Sequence, residues 1–215
     1  MATDTLVARE SPASASRVRF TNRDAAAFVA DLKSSVGAWF EATGKSDKAN
    51  FAMVSKTIIL LGTMIGTYLL LITNSIAGWW AVGAVVLMGI AMAGIGFSVA
   101  HDALHGAYSN SPVVNTMLGA SLDMLGANGY MWQITHNVIH HTYTNIHNVD
   151  EDLTVSPLLR LSPDAEHYWF HRFQHWYAAG AYSLATLFWV FAKDYKYFLK
   201  KDLGPFQDRK HSKGA

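Results

Sequence analysis

The stretch Trp132–Asp152, WQITHNVIHHTYTNIHNVDED, decides how this chain is read. It holds His136, His140 and His141 within six residues. On an α-helix His136 and His140 lie one turn apart on one face, with His141 beside them, turned by one helical step. Upstream, HDALHG repeats the pair with His101 and His105. A lone histidine is ordinarily a surface or satisfied core side chain. Two groups at ligand spacing point instead to a transition-metal site. Neutral imidazole binds iron, zinc and copper, and a helical i,i+4 pair aims two nitrogens at one ion.

Working outward, the 215 residues suffice for one domain, and their net charge of +1 argues against nucleic acid as a partner. No Cys is present, which removes disulfides, thiolate metal sites and a Cys nucleophile. Charge is strongly segregated: Thr57 to Ala100 contains no Asp, Glu, Lys or Arg. That run is long enough for two membrane spans, about 57–73 and 76–100, joined by a polar turn at Thr73, Asn74 and Ser75. Trp79 and Trp80 fit an interfacial aromatic belt. Gly83, Gly89, Ala93, Gly94 and Gly96 suit close helix contact in lipid. The second span runs straight into His101.

Residues 1–56 carry eight Lys and Arg, and the turn at 73–78 carries none. The positive-inside rule therefore predicts a cytoplasmic N-terminus and cytoplasmic histidines. Val113 to Met131 contains Asn115, Asp123 and Asn128, and reads as a helix in or dipping into the cytoplasmic leaflet. Trp176 to Ala192, followed by Lys193, Lys196, Lys200, Lys201, Arg209, Lys210 and Lys213, reads as interfacial or re-entrant. Residues 1–22 read as a flexible tail without the apolar core of a signal peptide. Asp24 to Phe40 reads as an amphipathic helix, capped by Thr21 or Asn22, lying on the membrane or packing on the protein. The expected fold is all-α and membrane-integral: a transmembrane helical hairpin with cytoplasmic or interfacial helices carrying the histidines.

Several familiar sites fail on spacing. There is no H-E-x-x-H, no Glu-x-x-His pair and no Gly-rich nucleotide loop. HDALH at 101–105 and HNVIHH at 136–141 resemble the first two histidine boxes of the membrane fatty acid desaturases. The likeness is strongest to the bacterial acyl-CoA (linoleoyl-CoA-like) and front-end branch. TYTNI, the acidic run Asp150-Glu151-Asp152 and HRFQHWYA at 171–178 are similar to that branch as well. The resemblance implies two iron ions, with O2 as co-substrate, at the cytoplasmic membrane face. It also implies the removal of two hydrogens from adjacent methylenes of a fatty acyl chain, giving a cis double bond and water. The substrate would be an acyl-CoA or acyl lipid drawn from the membrane.

On this resemblance His101, His105, His136, His140 and His141 are the expected metal ligands. Asp102, Asp150 and Asp152 either orient imidazole N–H groups or form a solvated acidic turn. His167, His171 and His175 form another stripe, either a third ligand row or part of an interfacial helix with Tyr168, Trp169, Phe170 and Trp176. Of the three, His175 is the ligand candidate, from its place in QHWY. His147 is expected to cap a turn, and Trp132, Tyr143 and Tyr108 either line a pocket or pack as aromatics.

The family's third box, Q-x-x-H-H, does not follow Gln133, Gln174 or Gln207. Residues 23–215 are therefore expected to be the N-terminal portion of a desaturase domain, binding metal weakly and inactive alone. No cytochrome b5-like segment precedes the spans, so electrons are expected from a separate ferredoxin, rubredoxin or cytochrome b5 type donor. The competing readings are a related membrane di-iron hydroxylase or ketolase, and a degenerate, non-catalytic membrane protein.

Overall fold

Asn50 starts the first apolar helix: its side chain accepts the Met53 N–H at 3.0 Å, satisfying a donor the helix itself leaves open. The computed structural model describes residues 23–147, 149–153, 157–201 and 203. The expected tail, the Thr21 or Asn22 cap, and Arg209, Lys210 and Lys213 lie outside the described residues. Among the described residues the regular elements are all helices.

Helix α1 is Arg23–Thr43, α2 is Phe51–Ile72 and α3 is Trp79–Leu104. At 1.5 Å per residue α2 spans about 33 Å and α3 about 39 Å, enough for a hydrocarbon core of about 30 Å. Only 11% and 22% of their most apolar windows are buried. A core helix of a soluble protein would bury that surface; here Ile58, Ile59, Val86 and Ile90 face outward. The first span begins six residues earlier than expected, at Phe51, because Asn50 supplies the cap.

Asn74 (φ 51°) and Gly78 (φ 57°) turn the chain between α2 and α3, and Trp79 and Trp80 are 88% and 82% exposed beside that turn. The two helices pack as a hairpin. Gly94 is the glycine that the contact uses: a Cβ there would sit 2.8 Å from a Leu60 methyl. Gly83 and Gly89 have nothing within 4 Å, so the expectation of close contact fails for them.

Past α3, Gly106 (φ 69°) reverses the chain, and Ser111 and Pro112 open α4, Pro112–Gly119. A short helix α5, Ser121–Met124, follows, then α6 over 129–143, started by the Asn128 cap on the Met131 N–H at 2.8 Å. The 113–131 stretch is thus two short helices and a turn. Beyond it come 3-10 turns at Glu151–Leu153 and Trp169–Phe173, α7 (Gln174–Ser183) and α8 (185–199). Two small cores lie against α6. Met131 and Ile139 meet Tyr197 and Leu203 on one side, and Trp132 meets Ala100 and Leu122 on the other. Helix α1 shares in neither: among the described residues its Phe28, Leu32, Val36 and Trp39 stay about half exposed or more, so its apolar face is not buried against them.

Candidate metal centre

Both histidine-bearing helices depart from α geometry where the histidines begin. In α3, residues Ile95–Ala100 form a π-turn, closed by the His101 N–H on Gly96 O. In α6, Gln133–His140 is π-helical, closed by the His141 N–H on His136 O. In a straight α-helix the fifth residue on lies about 140° around the axis. In a π-turn it becomes the hydrogen-bonded neighbour instead. His141 is thereby drawn to the face of His136, and its ring centroid lies 4.9 Å away, against 5.1 Å for His140. The expectation of a plain α-helix, with His141 set to one side, is corrected by this.

The two groups meet. His101 and His105 rings are 4.5 Å apart, His101 and His136 5.5 Å, and His105 and His141 4.8 Å. Donor atoms of His101, His105 and His136 lie within 4.8 Å of one another, as do those of His136, His140 and Asp152. His136 belongs to both sets. Asn137 ties the helices together by donating to Leu104 O at 3.0 Å. Trp132 stacks on His136 at 4.4 Å and stands edge-on to His101 and His105, so it both packs and walls the site.

Three carboxylates hold the imidazoles from behind. Asp102 lies 3.0 Å from His101 Nδ1. Asp150, fully buried, lies 3.0 and 3.1 Å from His140 Nδ1 and also accepts the N–H groups of Asn145 and Asp152. Asp152 lies 3.5 Å from His136 Nδ1. A neutral imidazole that donates from Nδ1 keeps its Nε2 lone pair for a metal. The acidic run is therefore no solvated turn: its first residue is sealed inside.

Burial first, then the nearness of His101, His141 and His136, holds the His105 imidazole down to about 4. His141 is lowered by desolvation and by His136, His140 and His101. Burial alone would raise the Asp152 carboxyl, but the His136 contact, Lys193 and His140 bring it below its ordinary value. His105 Nε2 is buried with no hydrogen-bond partner among the described residues. Converging imidazoles, three of them with Nδ1 beside a carboxylate and one with a buried, unpartnered Nε2, are a donor set that fits divalent iron or a similar ion.

His175 does not join this set. It is exposed, its ring contact is with Trp176 at 5.2 Å, and it belongs to neither donor group. The 3-10 turn at Trp169–Phe173 breaks the i,i+4 register that made His167, His171 and His175 look like one row. His171 is a satisfied core residue instead: it accepts the Tyr168 N–H at 3.1 Å and donates to Pro157 O at 2.9 Å. His147 makes no cap through Nδ1, which is buried without a partner among the described residues. Tyr108 is a tether, its hydroxyl 2.8 Å from Thr57 on α2. Tyr143 packs on the Met131 and Ile139 core.

The Trp176–Ala192 stretch is most of α7 and the first half of α8; sequence reading missed that α8 continues through Lys193 and Asp194 to Leu199. Within it, Lys193 meets Asp152 at 3.4 Å. Asp194 accepts the Asn128 N–H at 2.6 Å and the Trp189 indole N–H at 3.0 Å, and burial raises its carboxyl. No periodicity or spacing signals such long-range partners.

A cavity of about 320 Å³ opens on His101, His136 and Trp132. It shares Phe97, Leu122 and Trp189 with an adjoining, mainly apolar cavity of about 290 Å³ that reaches Gly89 and Met92 on α3. Gly89 is twelve residues, or about 18 Å of helix, before His101.

The family model for fatty acid desaturases matches residues 77–214. Arthrospira platensis has an sn-1 linoleoyl-lipid 6-desaturase 33% identical over 165 residues, which is 77% of this chain and 45% of that protein. The Synechocystis enzyme of the same name is 31% identical over 196 residues, 91% of this chain and 53% of that protein. An acyl-lipid (8-3)-desaturase of Physcomitrium patens is 29% identical over 180 residues, 83% and 38% of the two chains. No solved structure matches it significantly. The chain spans about half the length of these curated relatives. With the family match covering more than half of its residues and including every histidine of the cluster, this chain belongs to the fatty acid desaturase family.

Proposed function

We propose that this chain forms the N-terminal half of an O2-dependent acyl-lipid desaturase. In this reading His101, His105, His136, His140 and His141 hold two iron ions, and Asp102, Asp150 and Asp152 orient them. The observation that carries it is the convergence of five imidazoles from two separate helices, two of which, His101 and His136, line an apolar cavity running along α3. The acyl-lipid substrate is preferred to acyl-CoA because the relatives bear that name.

Two iron ions, when bound, supply the reduction of O2 and the removal of two hydrogen atoms from neighbouring methylenes. Everything else falls to the chain. The apolar walls at Phe97, Leu122 and Trp189 hold an acyl chain straight toward His101 and His136 and keep water from the reacting carbons. The carboxylates fix the imidazole rings, so the reacting methylene rather than the ligands sets the outcome. Electrons come from a separate ferredoxin, rubredoxin or cytochrome b5 type protein. The N-terminus and the histidines face the cytoplasm, a reading that the lysine and arginine distribution supports. Five imidazoles are few for two irons, so the remaining half of a relative-length polypeptide completes the centre.

The test is expression of the relative-length polypeptide in cells supplied with linoleate, with lipid analysis and iron counted per chain. New cis double bonds and about two irons are the expected result. Iron without an alkene, and an alcohol or ketone in its place, would make it a hydroxylase or ketolase. No iron and no product would leave a non-catalytic membrane protein.

A further inference from the structure

Lys193 is the one cation that touches the carboxylates of the cluster among the described residues, and the reaction outlined above gives it no role. Its side chain is only 12% exposed. The ammonium lies 4.7 Å from the Trp189 ring centroid and 5.8 Å from that of Tyr197, two aromatic faces that hold a cation without hydrating it. Its ionic contact is Asp152 Oδ1, at 3.4 Å. The other oxygen of that carboxylate, Oδ2, lies 3.5 Å from His136 Nδ1 and 3.7 Å from His140 Nδ1. Asp152 is thus stretched between a lysine on α8 and imidazoles on α6. Lys193 also lines the cavity that His101 and His136 open on.

Asp152 has a second option. An oxygen of Asp152 lies within 4.8 Å of donor atoms of His136 and His140, close enough for all three to share one ion. A carboxylate that entered the ligand set would give up orienting His136 and would add a negative charge to the metal. What opposes that move is the engagement of both its oxygens.

Resting on the metal-centre reading above, we infer that Lys193 is a positioning residue. By occupying Asp152 Oδ1 it keeps this carboxylate as the acceptor of the His136 Nδ1–H and out of the ligand set, so that the centre stays histidine-only on this side. The neighbouring Asp194 anchors the same segment of α8 to the start of α6 through the Asn128 N–H, which fixes where Lys193 stands relative to the histidines.

The test uses the relative-length polypeptide in lipid nanodiscs, with Co2+ as the probe metal. Lys193→Met keeps the volume and aromatic contact and removes the charge; Lys193→Arg keeps the charge. In Lys193→Met the cobalt ligand-field spectrum should shift as an oxygen enters. Lys193→Arg should retain the parent spectrum, and adding Asp152→Asn to Lys193→Met should abolish the shift. A cobalt-free measurement runs beside it: the 15N shifts of the His136 ring should report Nδ1–H in the parent and Lys193→Arg, and mixed tautomers in Lys193→Met. If Lys193→Met leaves the cobalt spectrum and the His136 shifts unchanged, and merely binds Co2+ more tightly, the lysine is only a repelling charge and the inference is overturned. Should the parent bind no Co2+ while the His136 shifts still respond, the metal-centre reading fails and the positioning role stands. Lys193→Gln serves if Lys193→Met does not fold.

Discussion

His136 is the residue on which the site turns. It is shared by both donor sets, stacked on Trp132, and backed by Asp152. His136→Ala should therefore remove most metal binding, whereas His175→Ala, on an exposed ring beside Trp176, should leave the metal content unchanged. Metal analysis of the two variants checks this, and loss of metal in His175→Ala would restore the third row. His105 makes a pH prediction. Its folded-state value of about 4 lies below the ordinary 6.5, so the unfolded chain takes up this proton first. The stability it contributes is complete above about pH 6.5 and is lost as pH falls toward about 4. His141, lowered by desolvation and its neighbours, acts in the same sense; Asp194, raised by burial, acts in the opposite one. The melting temperature of the metal-free protein should fall between pH 7 and pH 4, and His105→Asn should flatten that slope.

At the scale of elements, π-turns do what α-helices cannot. The boxes in α3 and α6 share a break just before or within the histidines, and a third π-turn, Trp189–Lys193, precedes Asp194 in α8. Each alters which side chains face inward without ending the helix. The joint between α5 and α8 is the next most exacting. Gly126 adopts φ 91°, and a Cβ there would lie 3.0 and 3.1 Å from the Val190 methyls. Gly126→Ala should cost about 1–3 kcal/mol, through backbone strain together with crowding. It should lower the melting temperature while leaving helix content intact, and an unchanged melting temperature would mean that α8 moves aside freely. The fold class, the hairpin and the amphipathic α1 were legible in hydropathy and period. The breaks were not, because HNVIHH scans equally well as α or π.

For the whole molecule the hairpin fixes sidedness: the turn at 73–78 and the histidines must lie at opposite ends of α3. The chain has no cysteine, so single substitutions report cleanly. In cells, Ser109→Cys should be protected from an impermeant maleimide, and Ser75→Cys should be labelled. The reverse pattern would invert the orientation. The chain belongs to the fatty acid desaturase family and spans about half the length of the curated relatives it matches. That accords with its long uncovered apolar faces, such as Phe173, Leu187 and Phe191 near the α7–α8 arm.

By itself the sequence determined the two histidine groups and the apolar hairpin. Histidine spacing and a run of 44 uncharged residues, 57–100, are local properties that no packing arrangement can undo. It separated the ligand candidates of the first two boxes, but it could not tell the QHWY histidine from a surface one, because each looks the same without its neighbours. Only the tertiary structure decided that His171 is satisfied, that Asp150 is sealed beneath His140, and that Lys193 and Asp194 reach back to α6. Those are contacts between residues far apart in the chain, set by how helices pack, and neither period nor spacing encodes them.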